Sequence, residues 1–275
     1  MDIDQTIARL EKTLHAASRK VIACSGGIDS LLLATIAHRI APGETLIAHA
    51  ESPAVPAEAA HRVREFSSRE GWDTQYVATG EFEDPDYLSN PVNRCFYCKD
   101  KLYTTLIALR KRIDGSDWHD AVVMSGANLD DLADYRPGLE AAANHGVSHP
   151  FIESEINKAE IRAICRHLDL PIADLPASPC LASRIYTGTR VTEERVRAID
   201  DAESAIRRTA RIDVVRCRVR ENEMLIEVLD EDRTKIDAGI IEHARQAAQS
   251  VDTSIEEVKL YAEAYQTGRA FQGPK

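Results

Sequence analysis

The sequence predicts an α/β protein: a parallel, doubly wound sheet with helices on both faces, followed by a small α+β domain. Three observations predict it. Short apolar runs alternate with helical patterns through the first half of the chain. A turn of small residues, Ser25-Gly26-Gly27, joins the first apolar run to a string of leucines. Past residue 172 the alternation gives way to a loop and then to a different order of elements. The domains are expected over 1–178 and 179–275.

The elements follow in order. Residues 20–24 (KVIAC) read as a buried strand and 31–40 as a helix. A second strand is expected over 44–49, a helix over 56–71, a strand over 74–78, a helix over 97–113 and a strand over 121–125. "NKAEIRAICRHLDLP" (157–171) closes this half with a marked helix. Asn157 is its cap, Glu160 completes a capping box, and Pro171 stops it. Ile161, Ile164, Cys165 and Leu168 share one face, so Cys165 reads as core. Cys24, inside the first strand, reads the same way. After the loop come a charged helix (192–209), strands over 211–220 and 223–229, a helix over 232–249 and a strand over 255–260.

The chain has 275 residues, 44% apolar and 29% charged, enough for a substantial core. Its net charge is −11, which gives no general attraction for polynucleotides, so a nucleic-acid partner is disfavoured. No stretch approaches the ~18 apolar residues of a membrane span. The first residues carry acidic groups and lack the apolar core of a secretory signal. A cytoplasmic location is expected, and in a reducing compartment six cysteines point to metal binding or catalysis rather than disulfides.

"CSGGIDS" (24–30) is the first chemical signal. A small-residue turn between strand and helix exposes backbone N–H groups, and the helix N-terminus adds partial positive charge. Gly26 and Gly27 let an anion approach, Ser25 and Ser30 offer hydroxyls, and Asp29 is suited to a Mg²⁺ bridging phosphates. No lysine is present, so this is not the G-x-x-x-x-G-K-[ST] loop. "DVVRCRVRE" (213–221) is the second. Arg216, Arg218 and Arg220 alternate with apolar residues, so a strand puts them on one face ~7 Å apart. Such a row suits phosphate and carboxylate groups, with Arg216 and Arg218 the chosen contacts; a solvated outer face is the other reading. Cys217 faces the apolar side.

In "GANLDDLADYRPGL" (126–139), Asp130, Asp131, Asp134 and Arg136 follow a strand's carboxyl end, where open α/β sheets bind ligands. Asp131 is the one assigned to the nucleotide or its metal; capping alone also explains such carboxylates. Arg94 and Arg184 are further phosphate candidates. Cys95 and Cys98 form a C-x-x-C with no second pair, which disfavours structural zinc.

S-G-G-x-D-S after a strand resembles the signature of the PP-loop ATP pyrophosphatases. The resemblance implies that the loop holds the β,γ-pyrophosphate of ATP while AMP is transferred to a substrate oxygen. "NPVNRCFYCK" (90–99), "GANLDDLADYRPGL", "NKAEIRAICRHLDLP" and "CLASRIYTG" (180–188) occur in the order found in the LarE family of ATP-dependent sulfur transferases. That resemblance covers nearly the whole chain. It implies conversion of carboxylates of pyridinium-3,5-biscarboxylic acid mononucleotide to thiocarboxylates, for the nickel-pincer cofactor of lactate racemase. Adenylation makes a carboxylate electrophilic, and a thiolate then attacks. By the same resemblance Cys180 is the nucleophile, either consumed as sulfur donor or joined with Cys95 and Cys98 in a [4Fe–4S] cluster with one open iron. The cluster is the favoured form, fed by sulfide or another sulfur donor; a homo-oligomer is expected. An iron–sulfur tRNA thiolase and a non-catalytic nucleotide-gated iron–sulfur sensor are the alternatives.

Overall fold

A computed structural model describes residues 2–113, 118–133 and 136–271; Asp134 lies outside the described residues. Its elements begin with α1 (Ile3–His15), β1 (Lys20–Ala23), α2 (Ile28–Ile40), β2 (Thr45–Ala50), α3 (Ala57–Glu70) and β3 (Thr74–Val77). Then come α4 (Pro85–Leu88), α5 (Arg94–Arg110), β4 (Val122–Ser125), α6 (Pro137–Asn144), α7 (Pro150–Glu153) and α8 (Lys158–His167). The last are α9 (Glu193–Ala210), β5 (Val215–Arg220), β6 (Glu223–Val228), α10 (Ala238–Gln249) and β7 (Glu257–Leu260). They form two compact units.

The first unit comprises Met1–Ser52, Ala57–Gly80 and Cys95–Ala177. Its four strands are all parallel, in the order β3-β2-β1-β4. Successive side chains point to opposite faces of a strand, and both faces here are covered. Val21, Leu46 and Val123 meet Leu102, Tyr103 and Leu106 of α5. Ile22, Ile47 and Met124 meet α2, α3 and α8 through residues such as Leu31, Phe66 and Ile164. The chain builds outward from β1 to β3 and then returns to pair β4 on the other side of β1. The carboxyl end of β1 is therefore a topological switch point, where such sheets leave a crevice.

α2 is apolar nearly all round, and Ser30–Ala37 are all buried, as suits a helix enclosed on every side. It begins at Ile28 rather than 31, so Asp29 and Ser30 lie in its first turn. α5 likewise starts before the expected 97. The capping box of α8 forms as expected: Asn157 accepts from the Glu160 amide at 3.0 Å, and Glu160 accepts from the Asn157 amide at 2.9 Å. α1 was not anticipated; Asp2 caps it, and Leu10 and Leu14 are its buried stripe.

The second unit comprises Pro53–Pro56, Glu81–Arg94 and Ser178–Lys275. β5 pairs antiparallel with β6, and β6 pairs parallel with β7. The strand expected from 211 begins at Val215, because Arg211 adopts a left-handed conformation (φ 53°) that ends α9. The helix expected from 232 divides: a tight turn over Asp230–Lys235 precedes α10, which starts only where Asp237 caps it, accepting from the Ile240 amide at 2.9 Å. Asn90 stitches its early segment to this unit. It is 1% exposed, and its side-chain amide donates to the carbonyls of Tyr186 (2.8 Å) and Thr189 (2.9 Å).

Candidate functional site

In the first unit the turn at the end of β1 is stapled from within. The Ser30 hydroxyl accepts from the Ser25 amide at 3.1 Å and donates to the Gly27 carbonyl at 3.1 Å. Ser30 is thus buried structural support, while Ser25 is exposed. The glycines divide their work. Gly26 has φ +80°, and a Cβ there would stand 2.4 Å from the Ala59 carbonyl oxygen of α3, so close helix packing requires it. Gly27 caps α2 with no side-chain cap bond, so the first amides of the helix are not met by a capping side chain.

Asp29 is ion-paired with Lys158, the first residue of α8. Burial pushes the Asp29 carboxyl above its usual range against the pull of Lys158, and Asp131 adds like-charge repulsion. Asp131 closes its own turn, accepting from the Asn128 amide at 3.1 Å, and pairs with Arg136 at 3.1 Å. Asp130 accepts from the Lys158 amide at 3.0 Å. Gly126 presses on the turn: a Cβ there would stand 2.9 Å from the Ser30 nitrogen. Asp29, Asp131, Lys158 and Gly126 therefore gather around the small-residue turn.

Three participants escaped the sequence reading. Lys158 pairs with Asp29 of the turn, and its signals were its place directly after a cap and within the segment NKAEIRAICRHLDLP. Arg62 of α3 donates to the Gly26 carbonyl at 3.0 Å, and its Nη2 is buried with no hydrogen-bond partner among the described residues. Nothing in the sequence tied it to the turn. His149 shares a hydrogen bond with Ser125, at the end of β4, at 2.8 Å; burial holds its imidazole below the ordinary range.

The cysteines sort by exposure. Cys24, Cys165 and Cys217 are buried; burial pushes the first two thiols up to about 11 and about 12. Cys95 is exposed and Cys98 half-buried, one turn apart on α5. Cys180 is exposed in the second unit. Among the described residues no three His, Cys, Asp or Glu side chains are gathered as metal ligands.

The loop bearing Cys180 is held through its carbonyls. Arg184 donates to Pro179 (2.6 Å) and Cys180 (3.2 Å), and Arg94 donates to Ala182 at 3.0 Å. Both arginines thus act on the loop backbone. Arg184 also makes a buried two-pronged pair with Glu203, at 3.0 and 3.1 Å. Burial opposes the Arg184 charge, but the Glu203 carboxylate favours it and leaves it raised.

Arg216 and Arg218 are 7% and 3% exposed; only Arg220 of that row faces solvent. Arg218 pairs with Glu227 of β6 at 2.8 Å. Burial and the neighbouring Arg184 pull Arg216 below its ordinary value. The arginine row is therefore internal rather than a solvated outer face.

No model of a known protein family matches the chain. It is 35% identical over 226 residues to the uncharacterized protein slr1717 of Synechocystis sp., covering 82% of each. It is 28% identical to the uncharacterized protein MJ0830 of Methanocaldococcus jannaschii, over 77% of this chain and 78% of that one. It is also 28% identical to the pyridinium-3,5-bisthiocarboxylic acid mononucleotide synthase of Lactiplantibacillus plantarum, over 74% of this chain and 73% of the synthase. The chain thus belongs to the family of the Synechocystis protein, with the Lactiplantibacillus synthase, the LarE enzyme, as a distant homologue.

Proposed function

We propose that the chain is an ATP-dependent sulfur transferase acting on a carboxylate of a pyridinium mononucleotide. The observation that carries this reading is the turn at the switch point of the parallel sheet, with Asp29 in the first turn of α2 and Lys158 upon it. The 28% identity to the Lactiplantibacillus synthase supports the choice of substrate class.

In this reading the amides at the N-terminus of α2 and the Ser25 hydroxyl hold the β,γ-pyrophosphate of ATP. Mg²⁺ on Asp29, with Asp131 beside it, would neutralise phosphate charge. Asp29 must first release Lys158, whose ammonium is then available to the departing pyrophosphate. A substrate carboxylate attacks the α-phosphorus; its oxygen–phosphorus bond forms as the α–β bridge breaks. The mixed anhydride with AMP is open to a sulfur nucleophile at the acyl carbon. Arg216 and Arg218 are assigned to the substrate phosphate.

The exposed Cys180 is the proposed source or carrier of sulfur. In the sacrificial form its thiolate attacks the acyl carbon, AMP leaves, and breaking the Cβ–S bond with loss of the α-proton leaves dehydroalanine. In the favoured form Cys95, Cys98 and Cys180 would hold a [4Fe–4S] cluster, which would supply the sulfur. Three exposed or half-exposed thiols suit that group chemically. The described residues gather no three-ligand set, so no step is derived through it.

The test is pyrophosphate release by anaerobically purified protein, with and without pyridinium-3,5-biscarboxylic acid mononucleotide. Release that depends on the carboxylate is expected; release without it, or none, rejects the transferase. Iron, sulfide and the intact mass after turnover separate the two sulfur routes: unchanged mass marks the cluster, and loss of one sulfur marks sacrifice. tRNA binding that weakens steeply with salt would instead favour a tRNA thiolase.

A further inference from the structure

Three carbonyls of the small-residue turn are each taken by a side-chain donor. Nδ1 of His49, on β2, donates to the Cys24 carbonyl at 2.8 Å, and Nε of Arg62, on α3, donates to the Gly26 carbonyl at 3.0 Å. The Ser30 hydroxyl donates to the Gly27 carbonyl at 3.1 Å. A carbonyl only accepts, so His49 must carry its proton on Nδ1. Ser30 belongs to the turn itself, but the other two donors come from elements that the chain reaches 25 and 36 residues later. Both are firmly seated. His49 is 1% exposed, and Val63 and Phe66, which follow Arg62 on α3, are buried with Ile22 and Ile47 of the sheet.

A trans peptide is planar, so its N–H points opposite to its C=O. Holding the Gly26 carbonyl therefore fixes the plane that carries the Gly27 amide and turns that N–H away from Arg62. Gly26 has φ +80°, where glycine gives the backbone unusual freedom. A donor from outside the turn is what restrains that plane. The guanidinium also polarises the peptide it touches, which makes the N–H on the far side a stronger donor to an anion. Burial pulls the Arg62 guanidinium below its ordinary value, while Glu58, one turn back on α3, favours the charge. The buried Nη2 meets no hydrogen-bond partner among the described residues, which costs stability, so folding alone does not account for Arg62 at this place.

We propose that Arg62 is a positioning residue for the phosphates: it holds the peptide between Gly26 and Gly27 so that the Gly27 N–H meets the departing pyrophosphate, and His49 fixes the root of the same turn. The role rests on the proposed function, in which the turn holds the pyrophosphate. Arg62 acts through the peptide and not by touching a phosphate.

Affinity for inorganic pyrophosphate is measured by calorimetry on the full chain, beside the melting temperature without ligand. Arg62→Met keeps an apolar stem but no donor, and Arg62→Lys keeps a cationic donor. His49→Phe keeps a ring, and His49→Asn keeps a donor near the place of Nδ1. Binding is expected to weaken about fivefold or more in Arg62→Met and His49→Phe, and to recover most of the way in Arg62→Lys and His49→Asn. Arg62→Met also removes the unmet Nη2, so its melting temperature should stay within about 3 °C of the parent's. Nitrogen NMR of the parent, which needs no variant to fold, should show the Nδ1–H tautomer of His49 and an Arg62 Nε–H protected from exchange. The Nε2–H tautomer, a freely exchanging Nε–H, or a folded Arg62→Met that binds as tightly as the parent overturns the positioning role and leaves the turn as the phosphate holder. Pyrophosphate that fails to bind the parent overturns both.

Discussion

Glu203 shows how much one buried carboxylate can organise. It accepts from Arg184 through both oxygens and from the Cys217 amide at 3.0 Å, and Arg207 approaches at 3.4 Å. Burial alone would raise its carboxyl; Arg184 and Arg216 hold it below the usual range. Removing one partner of such a pair strands the other, so Glu203→Ala is expected to cost about 3–5 kcal/mol in denaturant unfolding. Because Arg184 also holds the Pro179 and Cys180 carbonyls, the same variant should loosen the loop bearing Cys180. The six cysteines offer a second check at this scale. Brief alkylation of the metal-free folded protein should modify Cys95, Cys98 and Cys180 and spare Cys24, Cys165 and Cys217, read by peptide mass. Early modification of Cys165 would contradict its buried position.

At the scale of elements, the sequence's local signals and the contacts of the fold carry different weight. The capping box of α8 is local, and Asn157→Ala should lower stability by about 1 kcal/mol, visible as a modest fall in melting temperature. Gly26 answers to a distant element instead. Its positive φ and the Ala59 carbonyl both exclude a side chain, so Gly26→Ala must move α3 or the turn, with a strain of about 1–3 kcal/mol. The expected result is a folded protein by circular dichroism whose pyrophosphate release falls at least tenfold. Unchanged release would mean that the turn tolerates displacement and does not hold the phosphates.

For the molecule as a whole, pH acts through a buried histidine and a half-buried one. His49, bonded through Nδ1 to the Cys24 carbonyl at 2.8 Å, and His149 are both pulled below their ordinary value, chiefly by burial. The unfolded chain then binds protons more readily than the folded one between the two sets of values. Stability from these groups is complete above about pH 6.5 and is lost as the pH falls below it. Urea unfolding at pH 7.5 and 5.5 should show that loss, and His49→Gln should shrink it. The net charge of −11 belongs to this scale too, giving no general pull on a polyanion. Among the described residues no helix is long and apolar enough to cross a membrane.

What the sequence determined by itself was whatever rests on near neighbours along the chain. The alternating apolar runs specified the parallel sheet. Asn157 and Glu160 marked the start of α8, and period two put the arginines of β5 on one face. The S-G-G-x-D-S turn and the order of the later motifs pointed to phosphate and sulfur chemistry. What only the tertiary structure decided rests on residues far apart in sequence: Lys158 on Asp29, Arg62 on Gly26, Asn90 on Tyr186, and Tyr265 over Arg216 and Arg218. Periodicity says which face a side chain takes but not what covers that face. A row of arginines on a strand reads alike whether water or a returning segment lies above it. Burial is a property of the packed chain, and here it turned an apparent surface into an internal layer of charge.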